Sequence, residues 1–112
     1  MKGVHLCRRL VLEAPEHIAD DAGGFEESWV ALGIVWADVR LRSGRETSDV
    51  TGRASEADYK IILRATPSGA PSRPVPGQRF VEGVRRFLIE AVSEADSHGR
   101  YLVCFAREEL VL

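Results

Sequence analysis

Three histidines, two cysteines and a short acidic run are the residues of this chain whose chemistry could go beyond packing. His5, His17 and His98 fall at a strand start, in a polar connection and in a turn, and no two of them stand at a metal-ligand spacing. Asp20, Asp21, Glu26 and Glu27 offer carboxylate oxygens. An EF-hand loop, however, needs oxygens at alternate positions and a distal glutamate, so this run reads as a solvated acidic turn. Cys7 and Cys104 lie in the first and last strand candidates, where a bridge is geometrically conceivable. Two cysteines in a chain of this kind are read instead as small hydrophobes. A serine or cysteine nucleophile would need a base and an orienting acid, and no nucleophile elbow is present. Gly23-Gly24 precedes a strand pattern and not a helix N-terminus, so it is no phosphate loop. The expectation is therefore no catalytic residue, no metal ligand, no cofactor and no enzymatic activity.

The elements that would position any site form a β pattern. The central stretch runs from Trp29 to Glu46 and holds both tryptophans. Trp36, Asp38, Arg40 and Arg42 alternate there with Ala37, Val39 and Leu41, the two-residue period of a two-faced strand. Leu32-Gly33 breaks that period, which predicts a bulge or sharp bend. Trp29 and Trp36 are seven residues apart, so a regular strand would point them to opposite faces unless the bulge intervenes. Tryptophan's large area predicts that at least one of them enters the core.

Residues 5–13 read as the first strand, with Leu6, Leu10 and Leu12 inward and Arg8 and Arg9 interrupting as at an edge or barrel rim. Residues 14–27 read as a polar connection with a turn at Asp20–Gly24. Residues 47–57 suit a loop or a single helical turn. Residues 59–66 alternate as a half-buried strand. The next stretch, TPSGAPSRPVPG, carries four of the five prolines and is excluded from helix and interior strand. It predicts an extended loop, with a ligand for an aromatic groove as the alternative. Glu82-Gly83 and Asp96–Gly99 predict two further turns, residues 101–107 the last strand, and 108–112 a short tail. The whole is one all-β domain over residues 1–112: a small antiparallel barrel or sandwich of about six strands with long loops.

The chain has 112 residues, a formal net charge of −2 and 45% apolar residues, so no global basic field draws it to nucleic acid or an anionic membrane. Neither a signal-type apolar run nor a stretch long enough to cross a bilayer is present, and the chain is read as cytosolic when made. Thirteen of the fifteen basic residues are arginine, the exceptions being Lys2 and Lys60. That bias reflects a GC-rich genome or the use of arginine's planar fork at protein interfaces.

Gly23-Gly24-Phe25, then Trp29, then Trp36-Ala37-x-Val39, then Ser43-Gly44-Arg45-Glu46, in this order and spacing, resemble the head–tail joining proteins of tailed bacteriophages and phage-like gene-transfer particles. These are also called head-completion, head-closure, stopper or adaptor proteins. The resemblance spans residues 6–108 and weakens in the Pro-rich loop. It implies a structural virion component at the head–tail junction, forming a ring of identical barrels (hexamer or dodecamer). The implied partners are portal or adaptor proteins and tail-terminator or tail-tube proteins, with DNA passing through the channel and no membrane. On that reading residues 40–57 are the inter-subunit or channel-facing loop, with Arg40, Arg42, Arg45, Glu46 and Arg53 as candidates. Pro67, Arg73 and Pro76 are candidates for meeting a neighbouring ring. Three alternatives stay open: another tail component such as a terminator; an OB-like barrel for single-stranded nucleic acid, for which Arg40, Arg42, Arg45 and Arg53 form the best basic cluster; and a small enzyme, which a pocket with converging titratable groups would mark.

Overall fold

The computed structural model describes residues 3–49 and 52–111, with side chains described at 3–44 and 56–109. Six strands run as β1 (Arg8–Ala19), β2 (Phe25–Asp49), β3 (Gly52–Arg64), β4 (Arg79–Glu82), β5 (Arg85–Glu94) and β6 (Tyr101–Val111). Every pairing is antiparallel, in the order β1-β2-β3-β6-β5-β4. The sheet closes because β4 pairs back onto β1 through Val11–Val81, Leu12–Phe80 and Glu13–Arg79. Closure removes the free edges that an open sheet would leave.

The period of two decides what fills the barrel. Leu10 and Leu12, Ala37, Ile61 and Leu63, Phe80, Phe87 and Ile89, and Leu102, Cys104 and Ala106 all point inward and are buried. Tyr59 meets Phe87 edge to face at 5.2 Å and 85°, a favoured aromatic geometry. Burial of each large side chain stabilises by roughly 1.5–3 kcal/mol. Among these, Leu10, Leu12, Phe87 and Ile89 are where the alternation placed them. Leu6 is only half-buried.

β2 has 25 residues, which at ~3.3 Å each would span ~80 Å if straight, whereas the longest axis of the molecule is 49 Å. The strand must bend, and it does so at irregularities in its pairing. Leu12 faces Gly33 and Glu13 faces Ala31, so Leu32 is an extra residue, the bulge that Leu32-Gly33 predicts. Arg42 is a second extra residue, between the Leu41–Tyr59 and Ser43–Asp58 pairs. Through these bends β2 serves β1 with residues 25–37 and β3 with residues 37–49.

Three segments differ from the sequence reading. Residues 14–19 and 25–30 form a two-stranded ribbon beyond the point where β4 stops pairing with β1. Exposed on both faces from residue 15 to residue 27, it needs no apolar alternation there and so shows none. Residues 43–49 and 52–58 likewise form paired strand, not a loop. The expected tail continues β6 as far as Val111, paired to Ala54; Leu112 lies outside the described residues. Neither tryptophan enters the core: Trp36 is 54% exposed and Trp29 half-buried. The inward positions of β2 are Val35, Ala37 and Val39, small residues that fit a barrel already filled by Phe80 and Phe87. The bulge sets both tryptophans on the outer face. The β4–β5 turn is Gly83-Val84, one residue later than expected, because Glu82 still pairs with Arg85. Gly83 has φ 60°, a conformation only glycine adopts cheaply.

Candidate assembly surfaces

The strand directions sort the connections between two ends of the barrel. The β1–β2 turn at 20–24, the Pro-rich loop 65–78 and the β5–β6 turn at 95–100 share one end. The β2–β3 extension, the β4–β5 turn and the end of β6 share the other. We call these the acidic end and the hairpin end.

At the hairpin end the inward positions turn from apolar to charged. Arg8 follows the parity of Leu10 and Leu12, Glu82 that of Phe80, Arg85 that of Phe87, and Glu108 that of Cys104 and Ala106. Arg8 Nε donates to Glu82 Oε2 at 2.6 Å. Arg85 donates to Glu108 through Nε at 2.8 Å and Nη2 at 3.0 Å, and to the Tyr59 hydroxyl at 3.2 Å. Its Nη1 lies 3.7 Å from Glu82. Only 2% of the Glu108 side chain is exposed, so its carboxylate depends on this two-pronged partner. The hydrogen bond from Arg8 holds the Glu82 carboxyl below the usual carboxylate range. The bond to Glu108 raises Arg85 above the usual arginine value. This network plugs the mouth.

The other mouth is covered by the Pro-rich loop. Pro74 is buried, and Arg73 Nη1 donates to the Thr66 carbonyl at 2.9 Å. Gly77 and Gln78 bond to the backbone of Ile89 at 2.9 Å each, stitching the loop to β5. Burial pushes the Cys104 thiol beneath it up to about 12, with Arg73 acting weakly the other way. Cys104 is a free thiol in the core and Cys7 a free thiol on the surface.

The sequence-derived candidates divide accordingly. Arg40 sits on a strand and is engaged within the chain: Nη2 donates to Asp38 Oδ2 and to the Gly3 carbonyl, both at 2.8 Å. Asp38 also accepts from the His5 amide at 3.0 Å, so this pair fixes the start of the chain to the barrel wall. Arg40's hydrogen bond, followed by that amide, holds the Asp38 carboxyl below its ordinary value against the cost of burial. Arg42 lies with its guanidinium 5.0 Å from the Phe105 ring centre, near enough for a cation–π contact. Arg45, Glu46 and Arg53 stand on the paired β2–β3 ribbon, and their side chains lie outside the described residues. Pro67 opens the Pro-rich loop and accepts a turn bond from Ala70 at 3.1 Å. Pro76 is exposed, whereas Arg73 is turned to its own chain. The candidates thus fall at opposite ends and form no single site. Among the described residues no group of three His, Cys, Asp or Glu side chains could hold a metal ion.

The family model for the phage head completion protein matches residues 1–109. The chain belongs to the phage head completion protein family. A chain from the virion of a native gene transfer agent particle is 46% identical, with a TM-score of 0.85 and 100% of both chains covered. Protein SF1141 from Shigella flexneri 2a is 18% identical, covers 96% of both chains and has a TM-score of 0.65, a likeness of fold alone. A search among curated proteins finds no match. Family membership makes this head completion protein a structural component of a phage or gene-transfer particle.

The sequence reading missed the Arg8, Glu82, Arg85 and Glu108 plug. Its signal was available: charged residues at the parity of the core, one step beyond the last apolar inward residue of four strands. It also treated the acidic stretch as a connection, although Phe25, now 73% exposed on the ribbon, stood in it as an unexplained aromatic.

Proposed function

We propose that this head completion protein is a connector subunit of stopper or adaptor type. It assembles as a ring of identical barrels, a hexamer or dodecamer, that joins the portal or adaptor of a filled capsid to the tail terminator or tail tube and helps retain DNA. The observation that carries the reading is the barrel plugged at both ends. A six-stranded barrel filled by side chains leaves no lumen, so any DNA path must run between subunits, around a symmetry axis. The β2–β3 ribbon and the Pro-rich loop lie at opposite ends, as a part that joins two different neighbours requires. Arg42, Arg45, Glu46 and Arg53 on that ribbon make the inter-subunit or channel-facing contacts, while Pro67 and Pro76 meet the adjoining ring. The work is assembly, with no reaction catalysed.

The test is the mass of purified protein across a concentration series, alone and with tailless particles. A stoichiometric ring on the particles is the expected outcome. A protein that ignores the particles and shifts single-stranded DNA in a salt-sensitive manner refutes the reading. Within the ring, Arg42→Glu combined with Arg45→Glu should impair assembly or DNA retention, and unaltered particles would remove the ribbon from the contact.

A further inference from the structure

Two surfaces of this molecule complement each other and do not meet within one chain. The first is the ribbon at the acidic end. Between residues 16 and 27 it carries Glu16, Asp20, Asp21, Glu26 and Glu27 and no lysine or arginine. Asp20 is occupied in the turn, accepting from the Ala22 and Gly24 amides at 2.9 Å each. None of the other four carboxylates is ion-paired among the described residues. On the same ribbon Phe25 is 73% exposed and Ile18 49% exposed. Six residues of strand carry this tip about 20 Å beyond the point where β4 stops bracing β1.

The second surface is a groove of about 390 Å³ on the outer wall of β2, β3 and β6, with the end of β5 at its rim. Ile62, Val103 and Phe105 form its apolar floor, and Arg40, Arg42 and Lys60 line its basic side, with Glu94 as its one acidic residue. Arg40 is spoken for by Asp38. Arg42 and Lys60 have no ion-pair partner among the described residues. Leu41 beside them is 66% exposed. An apolar floor flanked by unneutralised cations is the counterpart of an exposed aromatic flanked by unneutralised carboxylates.

We infer that the groove receives the acidic ribbon of a second copy of this chain, with Phe25 entering over Ile62 and Phe105 and Glu26 and Glu27 facing Arg42 and Lys60. Two different patches on one subunit make a head-to-tail contact, which closes into a ring or runs on as a filament. The inference rests on the ring reading above and gives it an interface. Like charges would meet if two ribbons or two grooves approached, so the same charges that attract the correct surfaces disfavour a two-fold dimer.

The experiment reads ring occupancy on tailless particles by mass, with circular dichroism confirming that each variant folds. Arg42→Glu with Lys60→Glu, and separately Glu26→Lys with Glu27→Lys, should each lower occupancy about tenfold or more. The chain carrying all four reversals should recover most of it, because attraction is restored with the signs exchanged. As a geometric arm, Phe25→Cys with Val103→Cys, on the groove floor, in a Cys7→Ser background should give an oxidised ladder of linked subunits on particles, and either cysteine alone should not. Rings that form normally in both charge variants and yield no ladder overturn the arm-in-groove contact while leaving the ring intact. Absence of rings from the unaltered protein overturns the ring reading itself. If Arg42→Glu with Lys60→Glu abolishes DNA retention but leaves occupancy unchanged, the groove is a phosphate site and the inference fails.

Discussion

Replacing Arg85 with methionine should destabilise the barrel far more than replacing Arg85 and Glu108 together. Glu108 is 2% exposed and takes two hydrogen bonds, at 2.8 and 3.0 Å, from Arg85 alone among the described residues. Removing the arginine strands a buried carboxylate, which costs about 3–5 kcal/mol in fully buried pairs. Arg85 is itself 36% exposed, so water reaches the pair from the mouth and the lower end applies, about 3 kcal/mol. At a urea m-value near 1.5 kcal/mol/M, the unfolding midpoint should fall by about 2 M. Arg85→Met with Glu108→Met fills the same mouth with apolar volume and should lie within about 1 kcal/mol of the parent. The coupling in the double-mutant cycle is then about 2 kcal/mol or more. Urea unfolding at pH 7 followed by tryptophan fluorescence measures it. A loss below about 1 kcal/mol for Arg85→Met, or additive losses in the double variant, would refute the claim that the plug is one interdependent unit.

Further outcomes follow from the same geometry. A thiol reagent should label one cysteine rapidly, Cys7, and Cys7→Ser should leave the native protein inert, because the Cys104 thiol is buried and its ionisation is pushed up to about 12; rapid labelling of both would show the Pro-rich loop open. Glu82 and Asp38 are held below the usual carboxylate range by Arg8 and Arg40. Their contribution is therefore complete above the unfolded value near 4 and is lost as pH falls through the folded values. The midpoint should be flat above about pH 5 and fall below about pH 4, and Glu82→Gln should flatten that fall; an unchanged acid limb in the variant would count against it. Trp36→Ala, at a 54% exposed position, should change stability by no more than about 0.5 kcal/mol, and a loss above about 2 kcal/mol would mean the outer face is covered in the free protein. Amide exchange in residues 14–30 should be fast in the free protein and slow in the assembled particle, since a two-stranded ribbon is marginal in water; protection equal to that of β3 without a partner would oppose this.

Where a strand buries one face, the sequence showed it. Leu10 and Leu12, Phe87 and Ile89, and the alternation in β3 follow from the period of two, and the break at Leu32-Gly33 marked the bulge that lets β2 serve two neighbours. The ribbons were illegible for the opposite reason. Residues 15–27 are exposed throughout, so backbone pairing defines them and side-chain type carries no period, and residues 43–49 and 52–58 are recognised in the structure by their backbone pairing. Trp29 and Trp36 misled because area argues for burial only where there is room, and the bulge turned both outward. Trp29 is instead covered by the Arg79 guanidinium, 3.9 Å from its ring centre and anchored to Glu13 at 2.7 Å. The charged plug was hidden because one residue gives no hint that its partner waits on another strand: Arg85 and Glu108 are 23 residues apart, Arg8 and Glu82 are 74.

These contrasts divide the molecule by what each part can do alone. The barrel has its apolar core, a satisfied ion network at one mouth and a stitched loop at the other, so its fold is complete without a partner. The acidic ribbon has none of these: among the described residues its carboxylates are unpaired except at the turn, Ile18 and Phe25 face water, and beyond the Trp29–Arg79 contact at its base only β1–β2 hydrogen bonds hold it. A segment that lowers the solubility and order of a free monomer persists where those exposed groups are buried in the assembled state. The same reasoning assigns Arg42 and Lys60 to contact and Arg40 to architecture, although all three line one groove. Arg40 already has an acid and a carbonyl to satisfy it, and a neighbour's carboxylate would gain little from a charge so nearly neutralised. Reversing Arg40 should therefore loosen the start of the chain, whereas reversing Arg42 and Lys60 should leave the subunit folded and the ring unmade.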